Sequence, residues 1–398
     1  MISPMATTLA SPARTGSRTG LLALLFVGFV LTGIPTVIIG PILPVFISRW
    51  SLDDSQAGFF FTVQFTASLC GVWIATALTS WRGYRPPLVL GYALTGAGLA
   101  LLNAPTHAQA LIATALFGVG YGTVTPPTNL SAAEAGGERS AGLVSLLNFA
   151  WGIGAVACSP LVLLALRHQL LSPLLLAVAV GALLLAASFL AANFPPEMHR
   201  SAGQSASSPS TPIPALIITI AISALFFIYV GTETSIGGWA AELAKRIAGH
   251  ASNLSTVAPM FFYAGLMTGR GLAPLALMRV RENRLALGAL LITALGIALV
   301  IAAKSQRPAI AGLTIAGFGC ATIYPIYISW FSKWYGTAAR RLGGVVFSLA
   351  SLGGSALPWL VGFLSKHSGS LRIGLLIPFF SAILMICILL LLRRRTAQ

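Results

Sequence analysis

The chain has 398 residues, of which 56% are hydrophobic and only 8% are charged. Soluble globular domains carry about 25% charged residues, so this composition excludes an ordinary soluble protein and indicates one that lies mostly in a lipid bilayer. The formal net charge of +16 does not indicate nucleic-acid binding, because the basic residues lie between apolar runs instead of on one basic domain.

Long apolar runs follow one another along nearly the whole chain. A helix of about 20 apolar residues crosses a hydrocarbon core about 30 Å thick, and the runs are too long for the strands of a membrane barrel. The predicted fold is therefore an all-α membrane protein with two six-helix bundles, at 19–193 and 213–393. Charged residues and Pro or Gly clusters bound twelve predicted transmembrane helices, at 19–48, 55–80, 86–104, 108–132, 140–166, 171–193, 213–241, 253–276, 284–304, 308–333, 341–366 and 371–392.

Polar segments flank and separate the two bundles. Residues 1–18 and 394–398 are predicted to be cytoplasmic tails, and the Ser- and Pro-rich stretch at 194–212 is predicted to be a cytoplasmic linker. With both termini in the cytoplasm, the cytoplasmic segments hold about twice as many basic residues as the opposite side. This bias predicts an inner-membrane protein with both termini inside.

An internal repeat relates the two bundles. The pattern Gly-x-Gly-x-x-Thr-x-x-Pro at 118–126 recurs at 317–325, and further matches share that offset. They are Arg82 and Arg85 with Arg281 and Arg284, and Gly154 with Gly353. Since each half has an even number of crossings, the repeats insert in the same orientation, which is the architecture of alternating-access carriers.

Local motifs refine this prediction. The loop Trp81-Arg82-Gly83-Tyr84-Arg85 resembles the loop signature of the major facilitator superfamily, with Ser80 about where the usual acid stands. GPILP at 40–44, NFAWGIG at 148–154, YVGTE at 229–233, GCATIYP at 319–325 and the Gly-rich 353–362 resemble the fucose-proton symporter family of sugar carriers. That resemblance implies monosaccharide transport coupled to protons, although the buried acids that some members carry in helices 1 and 4 are absent here.

One acid lies well within an apolar run. Glu233 is in the seventh helix, whereas the other seven acids are predicted at helix ends or in loops. An ionisable group there costs several kcal/mol unless it faces an aqueous cavity or a partner. We predict that Glu233 accepts a substrate hydroxyl or carries the coupling proton. The alternative is a carboxylate near the outer helix end that bonds Trp239 or the backbone.

Uncharged polar groups complete the predicted binding site. A sugar needs amide and hydroxyl partners beside apolar ring faces. Asn148 and Trp151 share one helical face, so both can reach the same ligand. The alternative role of each polar residue is to bridge two helices. With Glu233, the predicted substrate-binding residues are Gln64, Asn129, Asn148, Trp151, Tyr263 and Tyr324.

The remaining charged residues are interpreted as structural. Arg270 is either an anion ligand or a long side chain that reaches the cytoplasmic interface, and the second interpretation is favoured. Arg281 repeats the position of Arg82 in the second half. At the inner gate we expect ion pairs of Glu134 and Glu138 with Arg82, Arg85 or Arg139.

The sequence therefore predicts a monomeric secondary carrier for a small polar organic solute, with a monosaccharide favoured and protons as the expected coupling ion. The alternatives are an efflux carrier for amphipathic drug-like compounds and an uncoupled sugar uniporter. We expect neither metal nor cofactor, since the Cys and His residues lack ligand spacing. A catalytic His/Ser/Asp set is not apparent, so an enzyme is not expected.

Overall fold

The computed structural model of this protein describes residues 12–136, 140–192, 194, 216–335 and 339–396. In the first half, α1 comprises Pro12–Val37 and Ile39–Trp50, α2 is Asp54–Arg82, α3 is Arg85–Leu101, α4 is His107–Gly136, α5 is Ser140–Arg167 and α6 is Leu171–Ala191. In the second half, α7 is Leu216–Ala248, α8 is Asn253–Arg279, α9 is Glu282–Ala302, α10 comprises Gln306–Cys320 and Ile323–Tyr335, α11 is Ala339–Ser368, and α12 comprises Leu371–Gly374 and Leu376–Thr396.

These elements confirm the predicted fold of twelve transmembrane helices in two bundles. Ten of them are long and apolar enough to cross a membrane by length and composition. The other two are α3, which has 17 residues, and α8, which contains Arg270 and Arg279.

Several predicted boundaries differ from the structure, among them those at the two termini and at the end of the seventh helix. The predicted tail 1–18 is helical from Pro12, since proline suits the first turn of a helix. The last helix continues to Thr396, within the predicted C-terminal tail. The predicted end of the seventh helix at 241 is wrong, because α7 continues to Ala248. The linker at 194–212 lies outside the described residues except for Phe194.

The starts of α2 and α8 show the repeat at atomic level. Asp53 accepts a hydrogen bond from the backbone N–H of Gln56, whose side chain accepts one from the Asp53 N–H. Ser252 and Ser255 form the same reciprocal pair before α8. Such capping boxes satisfy two backbone donors at a helix start, so equivalent positions of the two repeats begin their helices in the same way.

Matched glycines bring matched helices into close contact. A Cβ at Gly120 would lie 2.5 Å from the Thr95 nitrogen, and one at Gly319 would lie 2.5 Å from the Thr293 nitrogen. α4 thus packs on α3 as α10 packs on α9. Only glycine allows backbones to approach this closely, which explains why the Gly-x-Gly pattern occurs in both halves.

Two spans are broken in the middle, each a few residues before a proline. α1 is interrupted at Ile38, before Pro41 and Pro44, and α10 is interrupted at Ala321 and Thr322, before Pro325. A proline lacks the N–H that would bond the carbonyl four residues earlier, and its ring crowds that carbonyl. At these breaks, backbone carbonyl groups of α1 and α10 lack a helical N–H partner and can accept hydrogen bonds from other groups within the bundle.

The halves meet mainly along three helix pairs: α1 with α7, α2 with α11, and α5 with α8. We call the two ends of the bundle the Asp54 end and the Arg82 end, after residues in the first and last turns of α2. At mid-depth, the Thr62 hydroxyl donates to the Ser355 carbonyl (3.1 Å), and the Thr66 and Ser355 hydroxyls bond each other at 3.0 Å. The hydrogen bonds and ion pairs that join described residues of the two halves lie at this level or nearer the Asp54 end.

Gly353→Ala tests the close helix packing. A Cβ at Gly353 would lie 1.9 Å from the Phe227 carbonyl oxygen, so α11 must move away from α7. Overpacking of this kind costs about 1–3 kcal/mol, and we expect a lower apparent unfolding temperature of the purified protein. Gly288→Ala in α9 is the matched control, because its Cβ would meet no atom within 4 Å. Equal unfolding temperatures for the two variants would contradict this packing.

Candidate functional site

An ion pair lies in the middle of the bundle. Glu233 is near the centre of α7, and its Oε2 lies 3.7 Å from an Arg270 guanidinium nitrogen of α8. The same oxygen accepts a hydrogen bond from the Tyr229 hydroxyl, one helical turn earlier, at 2.5 Å. Both charged side chains are mostly buried, with 16% of Arg270 and 18% of Glu233 exposed. Each charge therefore has a partner in a region where an isolated charge is costly.

Trp151 of α5 is a residue of the first half that contacts this pair. The Arg270 guanidinium lies 5.5 Å from the centre of the Trp151 ring, within the range of a cation–π interaction. The Trp151 indole N–H donates to the Thr36 hydroxyl at 3.3 Å, and its ring meets Tyr263 of α8 edge-on at 6.2 Å. Arg270 therefore lies between the two halves of the molecule.

Thr36 connects the predicted residue Gln64 to the same cluster. The Gln64 amide of α2 donates to the Thr36 carbonyl of α1 at 2.9 Å, two residues before the break at Ile38. The Gln64 side chain is buried, and its Oε1 has no hydrogen-bond partner among the described residues. Gln64 thus bridges two helices and also keeps one unused acceptor.

Tyr229 has one hydroxyl hydrogen but two acceptors. Its oxygen lies 2.5 Å from Glu233 Oε2 and 3.0 Å from the Cys320 carbonyl, which adjoins the break in α10. If Glu233 is ionised, only one of these contacts can be a hydrogen bond from Tyr229. If Glu233 is protonated, it can donate to Tyr229, and Tyr229 can donate to Cys320. The protonated state therefore satisfies both contacts.

The other predicted residues lie beside this centre. The Tyr324 ring of α10 is 5.8 Å from the Tyr229 ring. Asn129 and Asn148 bond each other between α4 and α5 at 3.4 Å, and each amide also bonds a carbonyl of its own helix. Trp151 links the Asn148 face of α5 to Arg270. Contacts thus connect five of the seven predicted substrate-binding residues, whereas Asn129 and Asn148 form a separate pair one helical turn from Trp151.

Two sequence interpretations at this centre are wrong. Arg270 does not extend to the interface, because its guanidinium is held between Glu233 and Trp151. Glu233 does not bond Trp239, whose indole N–H donates to the Pro358 carbonyl at 2.9 Å. Arg270 therefore belongs to the central site instead of the cytoplasmic surface.

The predicted gate pairs at the Arg82 end also differ. Glu134 accepts a 2.5 Å hydrogen bond from the Tyr84 hydroxyl. Arg85 instead donates to the Ala192 carbonyl, and the Arg82 guanidinium lies over the Trp81 ring. Both arginines thus have partners other than Glu134. Arg281 is exposed at the start of α9, and Glu138 and Arg139 lie outside the described residues.

The Asp54 end carries an ion network that the sequence analysis did not find. Arg246 of α7 forms a two-pronged pair with Asp54 of α2 and also bonds Glu242 at 2.8 Å. The Ser365 hydroxyl of α11 donates to Asp54 as well. Charge-assisted, bidentate pairs are among the strongest hydrogen bonds, so this network joins the halves firmly.

A second link crosses between the halves in the adjoining loop. Lys366 of α11 lies 2.9 Å from Asp53. Slight burial raises the pKa of Asp53. The hydrogen bond from the Gln56 N–H and the nearby Lys366 ammonium together lower the pKa by more than burial raises it, so the net pKa is below its ordinary value. The carboxylate is therefore ionised at neutral pH, and the link to Lys366 is lost only as the pH falls below the ordinary range of a carboxyl group.

Asp54→Asn tests whether this network holds the Asp54 end closed. The variant removes the bidentate pair with Arg246, and hydrogen bonds to charged groups contribute about 1.5–3 kcal/mol. A loss of about 1.4 kcal/mol raises the open fraction about tenfold. We therefore expect a Thr62→Cys probe, in a variant without the native cysteines, to react at least about tenfold faster with a water-soluble maleimide.

Arg49→Gln is the matched control for this experiment. Arg49 lies at the same end, but it bonds Asn103 of its own half. Its substitution is expected to leave the labelling rate of the Thr62→Cys probe near that of the parent. If the probe is labelled at the same rate in the Asp54→Asn and Arg49→Gln variants, the network does not hold the Asp54 end closed.

Sequence signals existed for some of the residues that were missed. Tyr229 is four residues before Glu233, the spacing at which two side chains meet on one helical face. Arg246 likewise follows Glu242 by four residues. Asp54 gave no comparable signal, because its partners Arg246 and Ser365 are distant in the sequence.

Two parallel six-helix repeats, with a polar and charged cluster at their interface, define a polytopic membrane carrier. Comparison with known proteins agrees with this class. Residues 25–305 match the model of the Major Facilitator Superfamily, and this chain belongs to that family. It is a transporter and not an enzyme.

A curated relative and two solved structures resemble this chain. An uncharacterised MFS-type transporter of Yersinia pestis is 24% identical over 347 residues, covering 85% of this chain and 88% of the relative. A point variant of the E. coli fucose:proton symporter FucP has a TM-score of 0.64 at 17% identity, covering 94% and 98% of the two chains. The inward-open xylose transporter XylE from E. coli has a TM-score of 0.72 at 14% identity, covering 92% and 95%. These structural likenesses show the shared fold.

Proposed function

We propose that this transporter is a secondary active carrier that moves a small polar organic solute across the inner membrane, with a monosaccharide as the favoured class and a proton as the coupling ion. The observation that carries the proposal is the Glu233–Arg270 pair of the second half, which contacts Trp151 of the first half. The proposed carrier functions as a monomer by alternating access. The halves rock about the central site, so that it opens to one side of the membrane at a time.

The chemistry around the pair suits a sugar. Trp151, Tyr263 and Tyr324 offer aromatic faces, and Gln64, Asn129 and Asn148 offer amides. Apolar ring faces with a few well-placed polar groups are typical of sites for small polar ligands. FucP is a fucose:proton symporter and XylE is a xylose transporter, and both share this fold.

Proton coupling is proposed at Glu233. Protonation removes its negative charge and so weakens its attraction to Arg270. The hydrogen bond between Glu233 and Tyr229 then reverses, with Glu233 as the donor, so the Tyr229 hydroxyl can donate to the Cys320 carbonyl instead. The two protonation states therefore differ in what holds α7, α8 and the break in α10 together. A solute that binds one state better than the other is coupled to the proton by that difference.

The orientation follows from the charge bias. We infer that the Arg82 end faces the cytoplasm together with both termini. The Asp54 end is then the outer end, and in this conformation Arg246 and Lys366 hold it closed.

Glu233→Gln tests the coupling. Glutamine retains the shape and hydrogen bonding of the protonated acid but cannot titrate. In proteoliposomes with a panel of radiolabelled monosaccharides and sugar acids, we expect exchange across the membrane to persist and accumulation driven by a pH gradient to be lost. Glu282→Gln, at the Lys333 pair outside the site, is the control and should retain both. Gradient-driven accumulation by Glu233→Gln would exclude Glu233 as the coupling site.

Cysteine labelling tests the orientation. In a variant without the native cysteines, Arg82→Cys and Arg281→Cys are each expected to react with an impermeant maleimide only after the cells are permeabilised. Arg49→Cys, at the Asp54 end, is expected to react in intact cells. Labelling of positions 82 and 281 from opposite sides would contradict the parallel repeat, and labelling of both in intact cells would invert the orientation.

A further inference from the structure

We propose that the solute carries a carboxylate, as a sugar acid does, and that this carboxylate binds Arg270 when Glu233 is protonated. This inference rests on the proposed function and specifies the substrate class of the same site. It starts from the difference between the two arginines that have acidic partners in the described part of this bundle.

Arg246 shows how a structural arginine is held in this protein. Its guanidinium bonds both oxygens of Asp54 and one oxygen of Glu242, so two carboxylates oppose one positive charge. The two terminal nitrogens of its planar guanidinium donate to Asp54, and the Nε donates to Glu242. Such an arginine has little capacity left for a ligand.

Arg270 is held much more loosely. Its nearest carboxylate oxygen, on Glu233, lies at 3.7 Å, which is within ion-pair distance but too long for a good hydrogen bond. That oxygen instead accepts the Tyr229 hydroxyl at 2.5 Å. A guanidinium has five N–H donors and matches a carboxylate with two parallel bonds, so Arg270 has donors available for a second carboxylate.

The surroundings of Arg270 also suit an anion. The other ion pairs between described residues lie at the two ends of the bundle, at Asp53, Asp54 and Glu242 on one side and at Glu282 on the other. Glu134 bonds Tyr84 at the Arg82 end, so Glu233 is the one acid that pairs with Arg270 in the described part of the chain. When that acid gains a proton, the centre of the bundle has an uncompensated positive charge in a poorly solvated region. A bound anion restores neutrality there.

Binding then proceeds as an exchange of partners. A proton adds to a Glu233 carboxylate oxygen, Glu233 donates to the Tyr229 oxygen, and the substrate carboxylate occupies the vacated side of the Arg270 guanidinium. One proton and one negative charge enter together, so the loaded site has the same net charge as the empty one. The titratable and charged groups that face Glu233 are Tyr229 of α7, Arg270 and Tyr263 of α8, Tyr121 of α4, and Cys320 and Tyr324 of α10.

The remainder of the site fits the sugar portion of such a solute. Trp151 covers the guanidinium with its ring, and Tyr263 meets that ring edge-on. A pyranose bound through its carboxylate to Arg270 can pack an apolar face on these aromatic rings. Its hydroxyl groups then have the Gln64 Oε1 acceptor in this cluster and the Asn148 amide one helical turn from Trp151.

Matched acid and neutral sugars test the inference with purified protein. The pairs are D-glucuronate with D-glucose, D-galacturonate with D-galactose, and D-gluconate with D-glucitol, measured by thermal shift and calorimetry across the mildly acidic to mildly alkaline range. We expect at least one acid to bind about tenfold or more tightly than its neutral partner at low pH. Its affinity should fall about tenfold per pH unit where Glu233 loses its proton, since one proton binds with each anion.

Variants assign the effect to the two residues. Glu233→Gln should bind the acid with an affinity that no longer depends on pH. Arg270→Gln should bind the acid no better than the neutral sugar. The double variant Glu233→Gln with Arg270→Gln contains no uncompensated charge, so it serves as the folded control if Arg270→Gln alone is unstable. Arg49→Gln should behave as the parent protein does.

Two outcomes overturn the inference and differ in what they mean for the proposed function. If neutral sugars bind as tightly as their acids at every pH, or if Arg270→Gln retains the preference for the acid, the carboxylate does not bind Arg270, and the monosaccharide carrier stands. If neither acids nor neutral sugars bind to the parent protein, the monosaccharide assignment falls as well.

Discussion

A charged side chain in the middle of a lipid-spanning bundle is stable only if another group compensates it. Glu233 and Arg270 do this for each other, and the arrangement of the central helices follows from that requirement. The pair joins α7 to α8, Tyr229 ties it to the break in α10, and Trp151 brings α5 of the other half over the guanidinium. The two halves therefore meet at a charge that neither can leave exposed to hydrocarbon. A site with these properties can respond both to a proton and to a polar solute.

Much of the fold was predictable because a bilayer imposes few but strict demands. Each span needs a minimum apolar length, and close helix contacts need glycine, so hydropathy and the repeated Gly-x-Gly pattern predicted the twelve helices and their relation. The end of α7 was one boundary that hydropathy did not predict. Glu242 and Arg246 are charged and so suggest the end of a membrane span, but they pair with each other and with Asp54, and the helix continues through them. Charge pairing between distant segments cannot be seen in a linear hydropathy pattern.

The candidate site was predictable in composition but not in geometry. Glu233 was identified because it is an acid within an apolar run, and the aromatic and amide residues were identified because they interrupt apolar helices. Arg270 was misplaced because a long side chain can extend toward either end of its helix, and the sequence does not give its direction. The pairing of Glu134 with Arg82 or Arg85 was wrong for a similar reason, since charge alone favoured an arginine over the Tyr84 hydroxyl that bonds Glu134.

The network at the Asp54 end divides unequally when the halves separate. The first half retains Asp53 and Asp54, whereas the second retains Lys245, Arg246 and Lys366 with only Glu242 to oppose them among the described residues of this network. Opening this end therefore exposes two facing surfaces, one with a net negative charge and one with a net positive charge. These surfaces attract each other across the water that enters between them. This attraction falls off over a Debye length of about 8 Å at physiological ionic strength. The external salt concentration thus becomes part of the energetics of opening: dilute surroundings favour reclosure, and saline surroundings prolong the open state.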